Sequence, residues 1–113
     1  MMQPMETRSL FIEFMGDSPM IRVLDYLLTE RELDFSITDI AENAGIGRAT
    51  LYRIWGSLVK NGIIIHTRII GKAKLFALNK KNPKIGKLIE VYDMLTVEEL
   101  KKRRERMEQP VVQ

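Results

Sequence analysis

The chain has no cysteine, which excludes disulfides, thiolate catalysis and zinc-finger ligation at once. Its single histidine, His66, has no carboxylate near it in sequence, so neither a metal site nor a histidine-based catalytic set is assembled. No phosphate-binding glycine loop and no nucleophile–histidine–acid set is present either. The expectation is therefore no enzyme, no metal and no cofactor. Apolar runs are only a few residues long, as at 63–65, against the roughly 20 needed to span a bilayer. The opening Met1-Met2-Gln3-Pro4 has neither the basic nor the apolar region of a secretory signal. These features give the expectation of a soluble, cytoplasmic protein.

Acid is missing from one long stretch. Residues 43–89 contain no aspartate or glutamate and carry ten bases: Arg48, Arg53, Lys60, Arg68, Lys72, Lys74, Lys80, Lys81, Lys84 and Lys87. Residues 1–42 carry nine acids against three bases, so the net charge of +3 conceals a polarised chain. An acid-free basic segment suits a polyanion, because a carboxylate facing phosphate would repel it and forfeit counterion release.

What is there reads as one domain of 113 residues with a hydrophobic fraction of 45%. Residues 9–15 are apolar and ambiguous between strand and short helix. Gly16, Asp17, Ser18 and Pro19 supply a break, a cap and a first-turn proline, so a first helix is expected over 19–29, with Ile21, Leu24, Leu27 and Leu28 as its buried stripe. Residues 30–34 read as a polar connector. Ser36 opens a second helix with Asp39 in a capping box. Gly45-Ile46-Gly47 interrupts it. A third helix is expected over about 48–61, with Leu51, Ile54, Trp55 and Leu58 inward and Asn61-Gly62 as its stop. Residues 63–70 and 74–78 read as a hairpin around Gly71. A fourth helix is expected from Asn82-Pro83 to about residue 95, then a separate charged helix opened by a capping box at Thr96-Val97-Glu98-Glu99 and ended by Pro110.

Two short helices about a glycine-containing turn, followed by a hairpin, predict a winged helix-turn-helix, an α+β fold that is mainly α. The start of the second helix of such a pair enters the major groove and needs small and hydrogen-bonding side chains there. The candidate base-reading residues are Arg48, Ala49, Thr50, Tyr52 and Arg53, with arginine able to grip guanine bidentately and threonine able to bond a base edge or touch a thymine methyl. Backbone contacts are expected from Ser36, Thr38, Gly47, Ser57 and Lys60, and from Arg68, Gly71, Lys72 and Lys74 on the wing. Trp55 shares the phase of Leu51 and Leu58 and is expected in the core. The run Lys101-Lys102-Arg103-Arg104-Glu105-Arg106 is interleaved with acid and reads as a solvated helix face.

The segment DFSITDIAENAGIGRATLYRIWGSLVKNGII, residues 34–64, resembles the helix-turn-helix of archaeal and bacterial MarR/ArsR-like winged-helix regulators, and GDSPMIRVLDYLL, residues 16–28, resembles the first helix of small archaeal members. With the wing, the resemblance spans about residues 16–79. It implies a homodimeric transcriptional regulator that reads pseudo-palindromic duplex DNA, with dimer contacts from terminal helices. Two departures stand out. Gly47 replaces the serine or threonine cap frequent in the family, and the cysteine and histidine ligands of metal- or thiol-sensing members are absent.

The organisation expected is an N-terminal segment (1–15), the winged helix (16–79), C-terminal dimerisation helices (80–109) and a loose tail (110–113). Leu10, Phe11, Phe14, Ile85, Leu88, Ile89, Tyr92 and Leu95 are more apolar surface than a small winged helix can cover, so they are the candidate dimer interface. The alternative is that they fold back onto their own domain. Other readings of the whole chain are a winged-helix module binding an acidic protein, or a plasmid or viral DNA-organising factor.

Overall fold

The computed structural model describes residues 9–108; the expected loose tail and the Pro110 stop lie outside them. Five helices and one hairpin follow in chain order: α1 (Leu10–Met15), α2 (Pro19–Thr29), α3 (Ile37–Ala44), α4 (Arg48–Lys60), β1 (Ile64–Ile70), β2 (Ala73–Leu78) and α5 (Pro83–Glu108). This is a winged helix-turn-helix with flanking helices.

The starts of α1, α2 and α3 each have a local side-chain cap. Ser9 caps α1 by accepting from the Ile12 amide, which resolves the ambiguity over 9–15 in favour of helix. Ser18 caps α2 in the same way with Pro19 in the first turn. Ser36 and Asp39 form the reciprocal capping box of α3. Helices α3 and α4 both stop on left-handed glycines, Gly45 at φ 73° and Gly62 at φ 66°. After α4, the Gly62 amide bonds the Val59 carbonyl at 3.0 Å and the Ile63 amide bonds Leu58 at 2.9 Å, the paired bonds that satisfy orphan carbonyls at a helix end.

The core gathers Phe11 from α1, Val23, Leu24, Leu27 and Leu28 from α2, Ile40, Ala41 and Ala44 from α3, Leu51 and Leu58 from α4, Ile64 and Leu78 from the hairpin, and Ile85 from α5. Trp55 packs edge-on against Phe76 with ring centroids 4.9 Å apart, in agreement with its expected place. The two strands pair antiparallel from Ile64 opposite Leu78 to Ile70 opposite Ala73, with a bulge at Thr67.

Three features depart from the expectations. The two C-terminal helices are one, because nothing between Leu95 and Glu99 breaks the helix. Thr96 and Glu99 have the capping-box spacing, but a continuous run of i to i+4 backbone bonds satisfies the same donors without a break. Phe11 and Ile85, expected at a dimer interface, are buried in the chain's own core. Leu88, Ile89, Tyr92 and Leu95 are half-buried against that core, with Tyr92 edge-on to Phe11 and hydrogen-bonded to Thr29. Six of the eight side chains expected at the interface thus pack on their own domain, four of them only half-buried, while Phe14 stays exposed. Finally, no expectation covered Phe35, which follows the connector and makes an isolated antiparallel bridge to Phe76, bonded both ways at 2.8 Å.

Gly62 carries a second constraint. A Cβ there would lie 3.1 Å from Asn82 Nδ2, and that amide donates to the carbonyls of Asn61 and Gly62, joining the end of α4 to the start of α5. Gly62→Ala is expected to lower stability by about 1–2 kcal/mol, the cost of placing an L residue in the left-handed region. Urea unfolding checks it: a lower midpoint at unchanged slope is the expected result, and an unchanged midpoint contradicts it.

Candidate nucleic-acid interface

Helix α4 turns Leu51 and Leu58 inward and leaves Arg48, Ala49, Tyr52, Arg53, Ser57 and Lys60 exposed, with Thr50 half-exposed. Helical spacing couples the outward side chains. The Arg48 Nη2 donates to the Tyr52 hydroxyl at 3.3 Å and its guanidinium lies over the Tyr52 ring, 5.9 Å from the centroid. Three residues apart, the Arg53 Nη2 donates to Thr50 Oγ1 at 3.1 Å. Neither arginine has a carboxylate partner among the described residues, so both keep their charge available. Gly47 is the N-cap of α4 and provides no side-chain cap. The space a Cβ would fill there is open, so the first amides of α4 are approachable.

The turn that sets α4 against α3 is held from α2. Arg22 grips Asp17 through two hydrogen bonds of 2.7 and 2.9 Å and also donates to the Gly45 carbonyl at 3.3 Å. The Asp17 carboxylate holds the Arg22 pKa above its ordinary value. Sequence reasoning missed Arg22 as a positioning residue. The only signal was its basic charge in an otherwise acidic segment.

The wing tip carries Gly71 in the left-handed conformation at φ 62°, flanked by exposed Ile70, Lys72 and Lys74. Arg68 differs from these. Its Nε and Nη2 bond the two oxygens of Asp34 at 2.9 and 3.1 Å, and Thr67 Oγ1 donates to the same carboxylate at 2.6 Å. The Arg68 bond, with the Thr67 bond behind it, holds the Asp34 carboxyl below the usual carboxylate range. Lys80 meets Glu32 at 2.6 Å. The acid-free segment is therefore not acid-free in space, because the connector before α3 returns two carboxylates to it. Ser36 caps α3 through its hydroxyl. Ser36 and Thr38 are half-buried.

Two apolar surfaces also stand exposed, and Phe14 among their residues belongs to the expected interface. On the wing Ile65, Ile69 and Ile70 are exposed, Ile69 at 58%. On the flanking helices Phe14 (68%), Met94 (71%), Val97 and Leu100 stand in solvent. From Leu100 to Met107 every side chain of α5 is exposed.

Residues 20–66 match the model of the IclR helix-turn-helix domain, where the resemblance of the sequence had pointed to MarR/ArsR-like regulators. No curated protein matches the chain in sequence. Solved structures that are similar include M. tuberculosis Rv0081, at 22% identity and a TM-score of 0.53 over 90% of this chain and 98% of that one. Another is Lactococcus lactis ZitR, at 16% identity and a TM-score of 0.58 over 84% of this chain and 74% of that one. A third is Sso10a-2, a DNA-binding protein from Sulfolobus solfataricus, at 16% identity and a TM-score of 0.50 over 85% of this chain and all of that one. At these identities the likeness concerns the fold. The chain is a winged helix-turn-helix whose central segment, from Met20 to His66, is similar to the IclR type.

Proposed function

We propose that this chain is a transcriptional regulator that binds duplex DNA as a homodimer, with the start of α4 in the major groove and the wing along the backbone. One observation carries the reading. The outward face of α4 presents Arg48, Tyr52, Thr50 and Arg53 as two pre-arranged hydrogen-bonding pairs, with no carboxylate paired to either arginine among the described residues and with lysines on the adjoining wing. Side chains of this kind suit base edges, and lysines suit phosphates. The match to a helix-turn-helix model and the likeness to a named DNA-binding protein support the same reading.

The test is equilibrium binding to duplex fragments at low salt, with a selected preferred sequence as reference. Arg48→Ala, Thr50→Ala or Arg53→Ala should cost about 1–3 kcal/mol each and relax the preference. Lys72→Ala should weaken all sequences alike. The absence of any complex, or a preference altered by the wing but not by the helix, contradicts the assignment. The exposed wing isoleucines favour a second reading, a surface for another protein, which a salt-insensitive complex with a protein and none with DNA would support.

The dimer is supported by the apolar side chains that the domain leaves uncovered, Phe14, Met94, Val97 and Leu100. A two-fold pairing through α5 covers such surface and fixes the spacing of the two α4 helices. Sedimentation equilibrium at micromolar concentration should give twice the chain mass of 13.1 kDa. A single chain mass contradicts the dimer.

A further inference from the structure

We infer that Asp34 is a latch on the wing, holding Thr67 and Arg68 of β1 and withholding the Arg68 charge from nucleic acid. The inference rests on the DNA reading above and concerns how strongly the wing takes part.

Successive side chains of a regular strand point to opposite faces, so Thr67 and Arg68 would not ordinarily reach one acceptor. The bulge at Thr67 breaks the alternation, and both side chains then meet the Asp34 carboxylate. Asp34 is itself well anchored. The next residue, Phe35, is bonded in both directions to Phe76 of β2, and β2 lies between that bridge and β1. The carboxylate therefore reaches across β2 from a fixed base. Its side chain is 17% exposed, while that of Arg68 is 62% exposed.

An exposed ion pair is ordinarily weak. This one has a fork of two parallel bonds, a third donor on the same carboxylate and an acceptor already held in place, the features that make such a pair strong. A phosphate approaching Arg68 meets two obstacles. The guanidinium edge that would grip it already grips Asp34, and the carboxylate repels it. Among the described residues Lys72 and Lys74 have no such partner, so the wing meets the backbone through its tip and not through Arg68. The electrostatic strength of the wing is thus set by a residue outside it, in a connector that sequence inspection reads as polar filler.

Asp34→Asn tests this in the full chain. Asparagine has nearly the same shape and can still accept from Thr67, but it has no charge to hold Arg68. Affinity for one duplex is measured by fluorescence anisotropy across a salt series, for the unsubstituted protein, Asp34→Asn, Arg68→Ala and the double variant. The expected result is a salt slope steeper by about 0.9 per protomer in Asp34→Asn, the increment for one more phosphate neutralised, and little increment when the same change is made in the Arg68→Ala background. An unchanged slope in Asp34→Asn, or the same increment in both backgrounds, overturns the latch while leaving the DNA reading intact. No complex with the unsubstituted protein overturns both.

Discussion

Raising salt from roughly 50 to 200 mM should lower the affinity for duplex DNA by about a thousandfold or more, the range given by six to ten phosphate contacts. The basis is the set of cations that have no carboxylate partner among the described residues. Arg48, Arg53 and Lys60 lie on the exposed side of α4, and Lys72 and Lys74 at the wing tip, so a dimer presents each of them twice. Not every one meets phosphate, since the two arginines are assigned to bases. Lys60, Lys72 and Lys74, each present twice in the proposed dimer, still give the six at the lower end of that range, and the exposed Lys81 and Lys84 extend it. Cations already paired inside the chain add little: Arg68 is held by Asp34 and Lys80 by Glu32. A slope of log affinity against log salt near −5 or steeper is expected. A slope near zero would mean that the basic segment faces something other than a nucleic acid backbone.

The fold was legible in this sequence wherever a local signal fixed a local event. Ser18-Pro19, the Ser36–Asp39 box and the stops at Gly45 and Gly62 act through backbone groups within a few residues, and the helices begin and end there. Exposed and buried faces of α4 followed from its period alone. Legibility failed where a feature depended on distant partners. The bridge of Phe35 to Phe76 and the hold of Asp34 on Arg68 join residues more than thirty positions apart, and nothing in either segment announces the other. Thr96–Glu99 failed for the opposite reason. Its capping signal is real but weak, and the uninterrupted helix-forming sequence around it offered the same amides a better acceptor. Phe11 and Ile85 were placed at an interface because apolar content was read without knowing how much surface α1 and the first half of α5 would cover. Both side chains complete the core, whereas Phe14 of the same set stays uncovered and is joined by Met94 and Leu100 further out.

Leu51→Ala is expected to remove about 2–5 kcal/mol of stability, the cost of truncating a buried leucine and leaving a cavity. Leu51 has no exposed surface and sits on the face of α4 opposite the paired side chains. Domains of this size have about 5–15 kcal/mol in total, so the loss is a large part of what holds the chain folded. It also reaches the proposed interface. Tyr52 follows Leu51 directly, and Arg48 and Thr50 lie within the same turn of helix, so a helix that settles into the vacated space carries them out of register. Urea unfolding should show the lower midpoint at unchanged slope. Binding to a preferred duplex, measured cold and where the variant is still folded, should weaken more than the small unfolded fraction explains. Val59→Ala on the same helix is the control, since Val59 is 52% exposed and such surface changes stay within about 0.5 kcal/mol. If the two substitutions prove equally mild, α4 is not seated on the core through Leu51, and the arrangement of Arg48, Thr50, Tyr52 and Arg53 must be held from elsewhere.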